Sequence, residues 1–131
     1  MSESIFTKII KGEIPSFKIA EDDNFIAFLD VMPLKRAHTL VIPKVQVDYL
    51  YDLPDKTLRD LMIFSKKVAK KIESKIECKR IGVAVIGLEV PHAHVHLIPI
   101  NDVRDMDFSQ PKLSLTSLEM QEIADLINQT A

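Results

Sequence analysis

Between Pro91 and Ile100 the chain reads Pro-His-Ala-His-Val-His-Leu-Ile-Pro-Ile, so three of its four histidines fall at positions 92, 94 and 96. Alternation of imidazoles with Ala93, Val95 and Leu97 suits an extended strand, in which successive side chains take opposite faces. A helix would scatter the three around its axis, and the β-rich composition and flanking prolines also favour a strand. His92, His94 and His96 are thus predicted to share one face, roughly 6.5–7 Å from neighbour to neighbour. Packing alone is a poor reason for such a face, because each imidazole brings two ring nitrogens that need partners. Three uses stay open on this ground: a metal site, a histidine nucleophile with acid–base helpers, or an anion-binding surface.

Length and composition narrow the partners. A chain of 131 residues with 47% hydrophobic and 27% charged residues suits one globular domain able to bury a core. A net charge of −2 argues against duplex DNA, which calls for a strongly basic face, and leaves a single nucleotide open. The lone Cys78 excludes an internal disulfide and a cysteine-rich zinc site. Met1 to Ser4 carry no signal-peptide character, and no apolar run reaches membrane-spanning length, so a cytoplasmic protein with no membrane partner is expected.

Around the histidines, the spacing predicts a supporting α+β frame. Ser4 can cap a short helix bearing Ile5, Phe6, Ile9 and Ile10, read by composition as core, with Gly12 ending it. Phe17 to Ala20, Asn24 to Leu29 and Thr39 to Ile42 read as an antiparallel meander with an acidic turn at Glu21-Asp22-Asp23. A long helix begins at Asp52 to Pro54, with Leu58, Leu61, Met62, Ser65, Ala69, Ile72 and Ile76 on its inner face and its lysines on a solvated one. Ile81 to Ile86 forms a fourth strand paired to the histidine strand. Asn101 to Lys112 reads as a loop, and the capping box from Thr116 to Glu119 opens a last helix carrying Met120, Ile123, Ala124 and Ile127. The fold expected is therefore a five-stranded antiparallel sheet with flanking helices. By composition alone, Asp30 is a turn residue and His38 a histidine at a strand edge.

His-x-His-x-His followed by two apolar residues, as it stands at His92 to Ile98, resembles the signature of the histidine triad family of nucleotide hydrolases and transferases, closest to its bacterial Hint-like branch. The likeness extends to Ile5 to Ile10, Gly12 to Pro15, Phe25 to Asp30 and Ala37 to Lys44, so most of residues 4–100 follow the family order. It implies a single domain over 1–131, with a core of about 4–100 and a C-terminal loop and helix over about 101–131, paired as a homodimer. It also implies hydrolysis of purine nucleotide phosphoramidates or related adenylates through a nucleotidyl intermediate on His94. In that scheme His92 supplies the backbone acceptor that fixes the His94 tautomer, His96 contacts the phosphate and helps protonate the leaving group, and His38 orients the cluster. Phe6, Ile9, Phe28 and Val31 would sandwich the base, Asp30 would accept from the ribose hydroxyls, and Glu89 would stand at a phosphate-contacting position. No cofactor and no metal are implied.

Departures from the family pattern are local. Ser4 and Thr7 stand where some bacterial relatives carry a Cys-x-x-Cys zinc half-site, so that structural zinc is not expected; Gln46 stands where a histidine often follows Pro-Lys-Lys. Gly87-Leu88-Glu89-Val90 replaces a longer loop ending Gly-Gln-Ser/Thr-Val, and an asparagine found in relatives near Ile86 is missing. Two other readings of the histidine cluster remain: a metal-dependent hydrolase with His38 completing a four-histidine set, and a nucleotide-binding module with little turnover.

Overall fold

In the computed structural model, which describes residues 2–130, the sheet is built around two five-residue runs whose every side chain is buried, Phe25–Leu29 (β2) and Thr39–Pro43 (β3). They pair antiparallel from Phe25↔Pro43 to Leu29↔Thr39. Lys18–Glu21 (β1) flanks β2, while Val95–Ile100 (β5) lies between β3 and Arg80–Ala84 (β4), giving the strand order β1-β2-β3-β5-β4. All pairings are antiparallel, as the sequence predicts.

Alternation along these strands divides the core into two layers. Phe25, Ala27, Leu29, Val41, Val95 and Leu97 face the long helix Asp55–Glu73 (α2) and the C-terminal helix Ser117–Asn128 (α3). The opposite face carries Ile26, Phe28, Leu40 and Ile42, packed against Phe6 of the short helix Ile5–Ile10 (α1). Register then places the chemistry: Phe28 is opposite Leu40, and Leu40 is opposite His96, so the three form one row across the sheet on the α1 side.

Several elements depart from the sequence reading. The histidine strand begins only at Val95, and His92 and His94 lie in the irregular segment before it. The reason is a competing set of backbone partners, His92 N–H to the Val90 carbonyl at 2.8 Å and Ala93 N–H to the Val47 carbonyl at 2.7 Å. The inner face of α2 is Leu61, Phe64, Ser65, Val68 and Ile72, whereas Met62 is exposed; the seam lies slightly further round the helix than Met62 implies. On α1 only Phe6 is buried, and Ile5 is exposed. Within the predicted loop after Ile100, Val103–Met106 forms a 3₁₀ turn closed by reciprocal Asp102 and Asp105 caps. The Thr116–Glu119 box and the buried face of α3 match the sequence reading.

Candidate active site

A cavity of about 460 Å³ opens on the α1 face of the sheet. Its lining brings together Phe6, Ile9, Phe28, Asp30, Val31, His38, Glu89, His94 and His96, nine of the ten residues singled out from sequence. The tenth, His92, is fully buried behind that wall, so the three alternating histidines do not share one open face.

Hydrogen bonds assign the tautomers. His92 Nε2 faces the Pro43 carbonyl at 2.8 Å, an acceptor only, so that nitrogen carries hydrogen. Its Nδ1 lies 2.8 Å from Ser4 Oγ, and burial holds the ring's pKa below the ordinary value; a neutral His92 therefore accepts from the serine hydroxyl. The carbonyl of His92 in turn receives Nδ1–H of His94 at 2.7 Å. In the neutral ring of His94, Nε2 is then the nitrogen without hydrogen, and it has no hydrogen-bond partner among the described residues and is not sealed from the cavity.

A second chain starts at Leu34, whose backbone N–H donates to His38 Nδ1 at 3.0 Å. His38 must then donate from Nε2 to His96 Nδ1, 2.9 Å away, so His96 offers Nε2–H to the cavity. Burial first, and then the charges of His96 and Lys112, push the pKa of His38 down to about 3. For His96 burial again leads, followed by His94 and Lys112, and the value falls to about 4. Both rings are neutral near pH 7. Before His38 the chain passes through Ala37 at φ 72°, the one non-glycine residue with positive φ among those described. Such a conformation costs a side-chain-bearing residue on the order of 1–2 kcal/mol, and here it leads directly into the buried imidazole.

Asp30 serves two ends. Its Oδ1 accepts the Met32 N–H at 2.9 Å, which is the turn role, and its Oδ2 lies 3.6 Å from His38 Nε2 at the cavity wall. Burial raises its pKa, opposed by the Met32 N–H and by the His94 and Lys112 charges. Phe6 stands edge-on to Phe28, His92 and His94, with centroids 5.5, 5.8 and 5.1 Å away, and so ties α1 to the histidines. Glu89 is exposed at the cavity mouth beside Leu88.

Phe108 and Lys112 are among the lining residues that the sequence reading missed. The segment that carries them is held over the site by the Lys35–Asp105 ion pair at 3.2 Å and by Leu113 N–H to the Pro33 carbonyl at 2.8 Å. Phe108 meets His96 edge-on at 5.0 Å, and Lys112 Nζ lies 5.8 Å from the Phe108 ring centre. Lys112 is the one lysine or arginine in the lining among the described residues. The available signal was the lone aromatic of a mostly polar stretch.

The four imidazoles do not converge as a metal cage, because both nitrogens of His92 and of His38 are engaged in hydrogen bonds. Asp30, His38 and His96 do bring donor atoms within 4.8 Å of one another, but a cation there would have to displace the His38–His96 bond. Ser4, Thr7 and Gln46 offer hydroxyl and amide groups hydrogen-bonded among themselves, a set without thiolate that does not fit structural zinc.

Comparison with known proteins agrees with this geometry. The HIT domain model matches residues 11–103. The adenosine 5′-monophosphoramidase of Saccharomyces cerevisiae is 44% identical over 100 residues, 75% of this chain and 63% of that one. Its counterpart in Schizosaccharomyces pombe is 33% identical over 127 residues, 95% of each. A Hit-like protein of Bartonella henselae described as involved in cell-cycle regulation superposes with a TM-score of 0.83 at 32% identity, covering 95% of this chain and 93% of its own. A zinc-bound histidine triad protein of Mycobacterium smegmatis gives 0.78 at 26% identity, covering 94% and 88%. Yeast and bacterial proteins both match, so the bacterial branch is not singled out. The sheet, the histidine cluster and these likenesses agree: the chain belongs to the histidine triad (HIT) family.

Proposed function

We propose that the protein hydrolyses nucleoside 5′-monophosphate derivatives, purine nucleotide phosphoramidates above all, through a covalent nucleotidyl intermediate on His94. The observation that carries this reading is the His94 ring, held by the His92 carbonyl so that a bare Nε2 faces a cavity with an apolar wall and a carboxylate. The relatives named adenosine 5′-monophosphoramidase support the substrate class.

In this scheme Nε2 of His94 attacks phosphorus, the bond to the amine breaks, and the amine departs with a proton. His96 Nε2–H is aimed to hydrogen-bond the phosphate or the leaving group, and the arriving phosphate raises the basicity that burial has lowered. His38 keeps that ring in place. Water then cleaves the nitrogen–phosphorus bond and restores His94. Phe6, Ile9, Phe28 and Val31 contact the base, Asp30 the ribose, and Glu89 and Lys112 the charged part of the substrate. The lysine brings a positive charge to a site in which burial keeps His38 and His96 neutral.

The reading extends to a single-domain, cytoplasmic protein that pairs as a homodimer and takes neither nucleic acid nor membrane as partner. Helix α3 packs on the same core as β1 and α2, which supports one domain. β4 is an edge strand of the sheet, with Val83 exposed on it and Val85 and Ile86 exposed just after it, a surface suited to a second copy. Among the described residues no helix is long and apolar enough to cross a membrane. Replacement of His94 by Ala tests the chemistry: turnover of adenosine 5′-monophosphoramidate should vanish while nucleotide affinity stays within about tenfold. Turnover retained within about tenfold of wild type would remove His94 from its role.

A further inference from the structure

We propose that Ser4 is a positioning residue of this site, which with Thr7 and Gln46 locks the His92 tautomer and so orients the carbonyl that presents His94 to phosphorus. Ser4 and Thr7 lie outside residues 11–103, the stretch that matches the family model. The proposal rests on His94 as nucleophile, as read above.

Proton accounting around Ser4 favours one arrangement. Gln46 Oε1 receives both the Ser4 backbone N–H and the Thr7 hydroxyl, each at 2.7 Å, which fixes the amide with its oxygen toward α1. Gln46 Nε2 then donates to the Ser2 carbonyl at 3.0 Å. Thr7 has spent its only hydroxyl hydrogen on Gln46, so it cannot supply the buried His92 Nδ1, 3.4 Å away. Ser4 Oγ accepts the Thr7 N–H at 3.0 Å, and of the two acceptors within reach of its own hydrogen, His92 Nδ1 at 2.8 Å is nearer than Thr7 Oγ1 at 3.2 Å. Both Ser4 and His92 are buried, so water offers no substitute donor. With Nδ1 served by Ser4 and Nε2 by the Pro43 carbonyl, the His92 ring is pinned at both ends.

The consequence reaches His94 through two residues of backbone. The His92 carbonyl that accepts His94 Nδ1–H belongs to the residue whose ring is pinned, and Phe6 packs against both rings. Without the serine hydrogen, a neutral His92 would leave Nδ1 buried and unpaired, a desolvation cost that a shift of the segment would relieve. Any such shift moves the acceptor that keeps His94 Nε2 bare.

Ser4 also caps α1, so the test must separate capping from tautomer control. Ser4→Asp keeps a cap acceptor for the Thr7 N–H but has no hydrogen to give; an ionised carboxylate instead draws a proton onto His92 Nδ1. Ser4→Thr keeps both functions. Long-range proton–nitrogen correlation spectra of the imidazoles, recorded without substrate, should show His92 protonated at Nε2 alone in wild type and Ser4→Thr, and at Nδ1 also in Ser4→Asp. With adenosine 5′-monophosphoramidate, Ser4→Asp should lose at least about tenfold in kcat with KM within about threefold, and Ser4→Thr should stay within about threefold of wild type in both. An unchanged His92 spectrum or wild-type kcat in a folded Ser4→Asp protein would overturn the proposal. The spectra need no turnover, so a wrong substrate leaves that arm intact.

Discussion

Asp30 shows how one side chain meets two demands. Oδ1 closes the turn after β2 and Oδ2 stands at the cavity wall, so the turn role leaves an oxygen for the proposed ribose contact. A carboxylate that accepts from a ribose hydroxyl discriminates because the deoxy analogue leaves it unpaired. Deoxyribose substrates should therefore lose about 1–3 kcal/mol in kcat/KM against ribose ones. Asp30→Ala should flatten that ratio and also lower stability through the lost Met32 contact; an unchanged ratio on folded protein would leave Asp30 with the turn alone. From sequence, Asp30 was readable as a candidate only through the family pattern, since its place after an apolar strand is equally that of a turn. The His92, His94 and His96 pattern was readable as a cluster, but not as two open rings and one hidden ring. The displacement comes from Val47 and Val90 carbonyls, partners that strand alternation does not contain.

At the scale of elements, short-range signals were legible and long-range ones were not. Capping at Ser4 and Thr116 is written in side chains next to the helix they start, and both caps form. That the segment beyond Met106 returns over the histidines depends on the Lys35–Asp105 and Leu113–Pro33 contacts, which no local pattern encodes. Two elements thus supply opposite charges to the cavity, Glu89 from the β4–β5 connection and Lys112 from the C-terminal segment. Lys112→Gln should raise KM for an anionic phosphoramidate roughly three- to tenfold, with a smaller effect at high salt because exposed charges are screened. Glu89→Gln should instead narrow any preference for a cationic over a neutral leaving group. Specificity constants for matched leaving groups at two ionic strengths check both, and an effect of Lys112→Gln indifferent to salt would speak against a charge role.

For the whole molecule, neutral buried histidines make stability depend on pH. His38 and His96 have their folded pKa lowered from 6.5 to about 3 and about 4. Below 6.5 the unfolded chain takes up protons that the folded chain refuses, so stability falls with pH until those lower values are reached. Each ring contributes up to about 1.4 kcal/mol per pH unit in that window. The carboxylates held below their ordinary range, such as Glu21, act only below about pH 4.5, while the raised pKa of Asp30 opposes the loss where it titrates. Urea unfolding should therefore show a midpoint that falls steadily from pH 7 to 5; a flat midpoint would mean that the rings are not held neutral.

The proposed chemistry asks His94 Nε2 to bond to phosphorus. Rapid quenching of a single turnover with radiolabelled adenosine 5′-monophosphoramidate, followed by peptide mapping, observes that bond. The label should be acid-labile, appear before the nucleoside monophosphate is released, reside on His94, be absent from His94→Ala and be indifferent to chelators. Label on another residue, or turnover that needs stoichiometric metal and passes through no protein-bound nucleotide, would refute a His94 nucleophile.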